Sequence, residues 1–513
     1  MGYMTDGITW TENDYGGTAR SMAMGNAVTA TGGELGSVII NPAGSAVSQC
    51  SQVTLTPGIS ISMVSAAGVK TPDGNTYLSQ RTSTNKGRFI MPNIGFNFSF
   101  DTGRAVGLKR FTFGFISNST NIFNTSIIGR GINEEGTSSY AGCMASASTN
   151  GFWDDEIDLA STENIICNSP ELMPGKDFGI TEWPLVDKTA SLSSRINQRF
   201  SHRIDGVKSD YILNFGFNIS DILFIGANLG IVSLRYGLDE GISESALETD
   251  MFPTGFKDLA RTYSYRASGA GVYGKFGVLV TPFDGLRIGA AIQTPTGMTI
   301  TENYGYSISN RFLDQSFSGR VNSAGDIRYG VTAPMRFNLG LAYTIGTKAV
   351  ISADYERVNY KYLKYNAKVT EDIQWFEAVN EQIQGIGRYG EDCLGASNSF
   401  RAGIEFKPIE EFAIRAGYNL ISDGTRFYDS ARNRLGGIST HAISAGIGYI
   451  SAGSFFCDLA AKYIMRPNLT LQAYPDYDNR GEISNDTYRE ISAPRLEAHR
   501  SNLQIVATLG WRF

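Results

Sequence analysis

The strongest constraint on the fold is a repeated alternation of apolar and polar residues. From Leu503 to Phe513 every second residue is apolar, and the residues between them are mostly small or polar. The same period of two recurs within residues 94–100, 211–219, 337–345, 400–406 and 443–449. Because successive side chains of a β-strand point to opposite faces, this period predicts strands with one apolar face.

The connections between these strands indicate how they are arranged. Short turns alternate with long polar segments, roughly 65–88, 119–208, 237–260, 304–332, 364–396, 425–438 and 469–498. Alternating short and long connections are typical of outer-membrane barrels, and a soluble sandwich has no reason to sort its connections in this way. We therefore predict an all-β fold, a transmembrane antiparallel β-barrel of about fourteen strands, with both chain ends on the periplasmic side.

Composition excludes several other classes. Charged residues make up 18% of the chain, the net charge is −6 and no dense Lys/Arg run occurs, so nucleic acid is not an expected partner. No apolar stretch approaches the length of a transmembrane helix. The chain has three histidines and no recognisable Ser/His/Asp arrangement, so we expect no enzymatic activity, no cofactor and no metal.

The N-terminal residues lack the basic segment and the apolar segment of a signal peptide, so we expect that a signal peptide has been removed.

The five cysteines leave two alternatives open. Cys143 and Cys167 lie in one polar segment and can form a disulfide in an oxidising compartment, or they can remain separate thiols. The odd count leaves at least one thiol unpaired within the chain.

Residues 1–50 precede the first predicted strand and form a domain of their own, whereas residues 51–513 form the barrel. The N-terminal segment is rich in Gly, Ala, Ser and Thr. A fourteen-stranded barrel is wider than the roughly eight-stranded size whose own side chains fill the interior. We therefore expect the N-terminal segment to fold back into the lumen as a plug, which we call the hatch.

The hatch sequence also carries a family resemblance. The stretch GTARSMAMGNAVTATGGELGSVIINPAG, followed by a strand, resembles the N-terminal region of the FadL/TodX family of outer-membrane channels for hydrophobic compounds. The stretches APMRFNLGLAYTIG and SADYERVNY resemble the mid-barrel hairpin of that family, and QTPT at residues 293–296 also fits. The resemblance covers the hatch and the barrel framework, and Asn41-Pro42-Ala43 is its most specific part.

Membership of this family implies passive uptake of hydrophobic small molecules such as long-chain fatty acids across the bacterial outer membrane. Membership also implies that ligands are captured at the outer loops and leave through a gap in the wall beside a kinked third strand. Outer-membrane lipid and lipopolysaccharide are the implied surroundings.

The same resemblance implies that Asn41, Pro42, Ala43 and Gly44 belong to the hatch and its gate, near the kink. Pro42 fixes its own φ and keeps Asn41 extended, and Asn41 can bond backbone groups where a strand ladder is broken. The alternative is that this segment is an ordinary turn into the first strand.

The register of the strands directs a set of charged side chains into the lumen. These are Arg336, Asp354, Glu356, Arg401, Glu405, Arg415, Asp458 and Lys462. One interpretation is a network of ion pairs that braces the hatch. The other is that an unpaired arginine holds a ligand carboxylate.

The long loops contain two further candidates. Phe152, Trp153, Phe178 and Trp183 lie among polar residues of the longest loop and either capture a ligand or pack a lid. Residues 371–387 predict an amphipathic helix with Ile373, Phe376, Val379 and Ile383 on one face, ended by Gly385.

Two functions therefore remain in view. The first is a FadL-like channel for hydrophobic molecules, and the second is a FadL-like barrel that acts as a scaffold or shuttle in a surface or secretion complex, with a protein partner at the extracellular loops. A continuous apolar tunnel favours the channel, whereas a lumen sealed by charge networks favours the scaffold.

Overall fold

The computed structural model is a closed antiparallel barrel of fourteen strands, as the alternation predicts. It describes residues 2–134, 138–149, 154–162, 166, 195–249, 256–313, 319–386, 393–428, 434–435, 439–451, 454–478 and 490–513. The barrel strands are β1 (Gln52–Gly68), β2 (Thr82–Asp101), β3 (Leu108–Asn133), β4 (Ile196–Ile219), β5 (Leu223–Ala246), β6 (Phe256–Phe283), β7 (Leu286–Gln293 and Thr296–Phe312), β8 (Gly319–Ala333 and Arg336–Ile345), β9 (Ala349–Asn359), β10 (Ala396–Ile409), β11 (Phe412–Ile421), β12 (Thr440–Ile450), β13 (Phe455–Gln472) and β14 (Arg495–Arg512).

The strand pairing shows that the barrel is closed and that two of its strands are interrupted. The first and last strands pair with each other, with Gln52 opposite Arg512. Strands β7 and β8 are each interrupted beside a proline, at Pro295 and Pro334. Proline cannot donate a ladder hydrogen bond, so two neighbouring prolines interrupt adjacent strands at the same height.

The strands are longer than the sequence predicts. The alternation places the start of β4 near residue 209, whereas β4 begins at Ile196, and β5 continues to Ala246 inside a predicted long segment. Parts of most predicted long segments are therefore barrel wall; the exception among the described residues is 425–438, whose short strands belong to a separate sheet. In these outer parts both faces carry polar residues, which weakens the apolar–polar alternation that signals a strand.

The outer surface of the barrel is apolar around its circumference. Exposed side chains on this surface include Phe98, Phe115, Leu213, Phe217, Ile225, Phe276, Leu339, Leu341, Phe400, Ile404, Ile414, Ile447, Leu459, Ile505 and Trp511. A continuous apolar band of this kind is the surface that a barrel presents to lipid. Within the described ranges, no helix has the length and hydropathy needed to cross a membrane.

The hatch lies inside the barrel. Its residues 15–48 are almost all buried, whereas most of residues 3–14 are only partly buried. It contains α1 (Gly2–Thr11), α2 (Ala19–Ala23), α3 (Leu35–Val38) and a 3-10 helix, Pro42–Val47. Glycines of the wall let its backbone approach closely. A Cβ atom at Gly226 would lie 2.3 Å from the carbonyl carbon of Pro42, and one at Gly289 would lie 2.2 Å from the Thr29 oxygen.

Helices and short strands cover the outer end of the barrel. The helices are α4 (Tyr140–Thr149), α5 (Asp155–Thr162) and α6 (Ile373–Gln384), and the short elements are Tyr360–Tyr362, Lys364–Ala367, Thr370–Asp372, Cys393–Leu394, Thr425–Tyr428, Arg434–Leu435, Tyr477–Asp478 and Glu490–Ile491. The predicted helix is confirmed as α6, which buries Phe376, Val379 and Ile383 and is capped by Gly385 at φ +70°. Ile373, the first residue of this helix, is exposed, contrary to the expectation that it lies on the buried face.

Candidate functional site: the hatch, a break in the wall and two cavities

Ion pairs join the hatch to the barrel wall. Arg20 in α2 donates to Glu405, with 2.9 Å between Nε and Oε2. Arg415 donates to the same Oε2 at 2.6 Å and to Asp458 Oδ1 at 2.6 Å. These four side chains form one chain of alternating charge between the hatch and strands β10, β11 and β13.

A second network surrounds Glu356. Arg336 and Arg401 donate to its two carboxylate oxygens at 3.0 and 2.7 Å. The guanidinium carbon of Arg401 also lies over the ring of Tyr15, 5.0 Å from the ring centroid. Asp354 accepts from the backbone N–H and the hydroxyl of Thr29 in the hatch, at 2.8 and 2.6 Å. All eight charged side chains that the register directs into the lumen are therefore buried, and each has a protein partner.

Wall cations that the sequence analysis missed bind carbonyl groups of the hatch. Lys275 Nζ donates to the Ile39 carbonyl at 2.7 Å, and Arg287 Nη1 donates to the Thr31 carbonyl at 2.7 Å. Lys208 donates to the carbonyls of Trp10 and Glu12. Lys275 and Lys208 lie at inward positions of β6 and β4. The alternation, extended along these two strands, would have predicted that both side chains face the lumen.

The Asn41-Pro42-Ala43 segment lies away from the position that the resemblance implied. The Asn41 amide donates to the carbonyls of Thr29 at 2.7 Å and Val278 at 3.1 Å, and its Oδ1 accepts from the Ala43 N–H. Val278 belongs to β6, where the ladder is intact. The segment therefore contacts β4, β5 and β6, and no hydrogen bond within the described residues joins Asn41, Pro42 or Ala43 to the bulge in β3. Asn41 acts as the cap of the 3-10 helix.

The wall is interrupted between β2 and β3. Their backbone ladder runs from the Asp101–Arg110 pair to the Asn93–Asn118 pair and stops there, although both strands continue. Beyond this point β3 pairs with β4 alone, apart from one bridge between Gln80 and Arg130. A bulge in β3 between Ser119 and Asn121 marks the start of the interruption, which we call the β2–β3 break.

Side chains, rather than a backbone ladder, close the β2–β3 break. Arg88 Nη1 donates to the carbonyls of Phe123 at 3.1 Å and Gly206 at 2.7 Å. Asn124 Nδ2 donates to the Lys86 carbonyl at 2.9 Å. Thr84 donates to the Ser126 carbonyl. Side-chain contacts can open without unfolding either strand, because each strand keeps its ladder with its other neighbour.

The hatch covers the inner end of this break. The Gly16 N–H donates to the Ser119 carbonyl at 2.8 Å, and the Asp14 N–H donates to the Thr120 carbonyl at 2.7 Å. The Asp14 carboxylate is held by Lys462 at 2.6 Å. The N-terminal part of the hatch, and not Asn41, therefore lies at the kinked strand.

A cavity of about 430 Å³, the inner cavity, adjoins the displaced part of β3. Residues 121–125 of β3 line one side, and Thr5, Thr9 and Glu12 of the hatch line another. Two arginines face it, Arg466 and Arg500, together with many amide and hydroxyl side chains. Asn124 is buried and its Oδ1 has no hydrogen-bond partner in the described part of the chain. This cavity is polar, contrary to the apolar tunnel expected for a channel.

A second cavity of about 670 Å³, the outer cavity, lies on the other side of α1. Tyr3 and Asp6 of α1 line it, together with Glu302 of β7 and tyrosines of β6 and β7. Burial and the negative charge of Glu302 raise the pKa of Asp6 to about 7. Helix α1 thus separates the two cavities.

The predicted capture residues of the longest loop, Phe152, Trp153, Phe178 and Trp183, lie outside the described residues, as does Cys167. Cys143 is buried in α4 as a free thiol, and burial raises its pKa.

No family model matches the sequence, and no curated protein matches it in sequence. The fold is similar to that of a Pseudomonas aeruginosa FadL homologue, with a TM-score of 0.55 and 11% identity over 98% of this chain and 100% of that chain. It is also similar to the Pseudomonas putida toluene transporter TodX, with a TM-score of 0.51 and 15% identity over 98% and 100% of the two chains. At these identities the likeness is one of fold, and it extends over nearly the whole chain.

Proposed function

We propose that this chain is a FadL-type channel of the bacterial outer membrane that admits hydrophobic or amphiphilic small molecules without ATP or a cofactor. The apolar outer surface supports a membrane location. The likeness to a FadL homologue and a toluene transporter supports ligands of this kind. Long-chain fatty acids are one such class, and Arg466 or Arg500 in the inner cavity is then the partner of the carboxylate.

The β2–β3 break carries this proposal. A barrel that serves only as a scaffold gains nothing from eleven residues of β3, 119–129, that lack a ladder with β2. A laterally opening channel needs such a segment, because a hydrophobic molecule leaving sideways reaches lipid without crossing water. The inner cavity adjoins this segment, so a ligand held there has a short route to the membrane.

The test measures entry of the neutral fluorescent probe N-phenyl-1-naphthylamine into host cells that lack other hydrophobic-compound channels. We expect faster entry with the protein than without it, and a further increase with Arg88→Ala, which removes two bonds across the break. Arg110→Ala, in the intact ladder of the same strands, is the control. Entry no faster than in cells without the protein overturns the proposal.

A scaffold or shuttle role is the second candidate. The charge networks that fix the hatch favour it, because they seal the lumen at that level. Helix α6 also exposes Trp375, and segments next to α6 expose Tyr362 and Val369, where a protein partner can bind. Retention of a protein partner by the purified barrel, together with unchanged probe entry, would favour this role.

A further inference from the structure

The outer cavity has an unusual lining for a channel that carries fatty acids. Five tyrosine rings line it, those of Tyr3, Tyr263, Tyr265, Tyr304 and Tyr306. The ring centroids of Tyr263 and Tyr306 are 4.9 Å apart, and those of Tyr304 and Tyr306 are 6.2 Å apart. Such a lining offers π faces and hydroxyl groups to a ligand, rather than a purely aliphatic wall.

The charges around this cavity are mostly negative. The lining carboxylates are Asp6, Glu302, Asp326, Glu371 and Asp372, whereas the one lining cation in the described part of the chain is Arg328. Glu302 is buried and accepts hydrogen bonds from the hydroxyls of Tyr265 and Tyr329. Neither Asp6 nor Glu302 forms an ion pair with a described residue. A carboxylate ligand therefore meets like charge here, and an ammonium ligand meets opposite charge.

The protein already places one cation against the same rings. The guanidinium carbon of Arg261 lies 5.4 Å from the ring centroids of both Tyr263 and Tyr306. That guanidinium is held by Glu156 at 2.5 Å and Glu240 at 3.2 Å, so it is already paired and offers little to a ligand carboxylate. Both rings also line the outer cavity, where a ligand cation can reach them.

We propose that the outer cavity selects ligands by the charge of their head group, and that it favours amphiphiles ending in an ammonium or quaternary ammonium group over those ending in a carboxylate. The cationic group lies against the tyrosine rings, with Asp6 and Glu302 as its counter-charges. This inference rests on the proposed channel function and narrows its ligand class. Fatty acids, whose carboxylate suits the two arginines of the inner cavity, are then poor ligands of the outer cavity.

The test compares three probes with the same octyl chain: octyltrimethylammonium, octan-1-ol and nonanoate. Their binding to the protein in lipid nanodiscs is measured by calorimetry, with empty nanodiscs subtracted. We expect octyltrimethylammonium to bind about tenfold more tightly than nonanoate, with octan-1-ol between them. Equal binding of the two ions, or tighter binding of nonanoate, overturns the inference.

Variants assign the preference to particular residues. Asp6→Asn combined with Glu302→Gln keeps the size of both side chains and the acceptors for the tyrosine hydroxyls. We expect it to remove most of the preference for the cation and to leave octan-1-ol binding unchanged. Asp284→Asn, at an exposed turn at the other end of the barrel, is the control. Asp6→Asn alone serves if the double variant does not assemble, and a preference unchanged by these variants contradicts the assignment.

The entry of N-phenyl-1-naphthylamine separates this inference from the proposed function. Probe entry without a charge preference in binding overturns the inference and leaves the channel intact. A charge preference without probe entry supports the cavity assignment and overturns the channel.

Discussion

The two ends of the hatch are attached to the barrel by different forces. Residues 12–47 are tied by charge, through the pairs of Arg20 and Asp14 and through wall cations that bind hatch carbonyls. Helix α1 is held mainly by aromatic packing. The ring of Tyr3 lies 5.6 Å from the rings of Tyr365 and Phe376, and Trp10 is fully buried.

This difference indicates which part of the hatch can move. A buried ion pair is costly to open, because each partner is left as an uncompensated charge. An aromatic contact can be exchanged for a contact with an apolar ligand at little net cost, since both remove similar surface from water. We infer that residues 12–47 form a fixed frame and that α1, which separates the two cavities, is the part that a ligand displaces.

The largest expected effect comes from breaking the frame. Glu405→Ala leaves Arg20 and Arg415 without their shared carboxylate, so we expect the free energy of unfolding to fall by about 3–5 kcal/mol. Thermal unfolding of the detergent-solubilised barrel measures this, and planar-bilayer conductance reports whether the hatch has loosened.

The control for this variant is Asp239→Ala. It breaks the exposed pair with Arg266, for which we expect a loss of less than about 1 kcal/mol. Equal effects of Glu405→Ala and Asp239→Ala contradict the idea of a charged frame.

A smaller loss of stability but a larger functional change is expected at α1. Tyr3→Ala removes ring contacts with Tyr365 and Phe376 and costs about 2 kcal/mol. We expect it to increase probe entry several-fold, because α1 is then displaced more easily. Tyr343→Ala, on the outer surface of the barrel, is the control. If Tyr3→Ala strongly lowers the free energy of unfolding but leaves probe entry unchanged, α1 belongs to the fixed frame instead.

The smallest effect is expected at Asn41. Asn41→Ala removes the cap of the 3-10 helix and the bonds to the carbonyls of Thr29 and Val278, at a cost of about 1–2 kcal/mol. Because this segment lies away from the β2–β3 break, probe entry should match that of the control Asn303→Ala, an exposed wall residue. A change in probe entry with Asn41→Ala but not with Asn303→Ala would instead support a role of Asn41 in the gate.

The fold was predictable because a period of two in the sequence indicates both where the strands lie and which of their side chains face the membrane or the lumen. The inward positions of Glu356 and Glu405 follow from the register alone. The partners of these residues do not, because Arg20 and Glu405 are brought together only when the hatch folds back into the lumen. Lys275 was missed because a lysine in a strand is usually a surface residue.

The break and the cavities were less accessible to sequence reasoning. The β2–β3 break depends on where one ladder stops, which is a property of two strands and not of either sequence. The tyrosines of the outer cavity come from β6, β7 and α1, and the alternation shows only that each ring faces inward.

The central claim is that ligands leave through the β2–β3 break. Thr84→Cys with Ser126→Cys places thiols on its two sides, in a protein whose own cysteines are replaced by serine or alanine, and a short bismaleimide links them. Asp101→Cys with Arg110→Cys, in the intact ladder, is the control. The account predicts that probe entry falls to the background of cells without the protein when the break is linked, and that it persists in the control. Unchanged entry with the break linked would contradict lateral release.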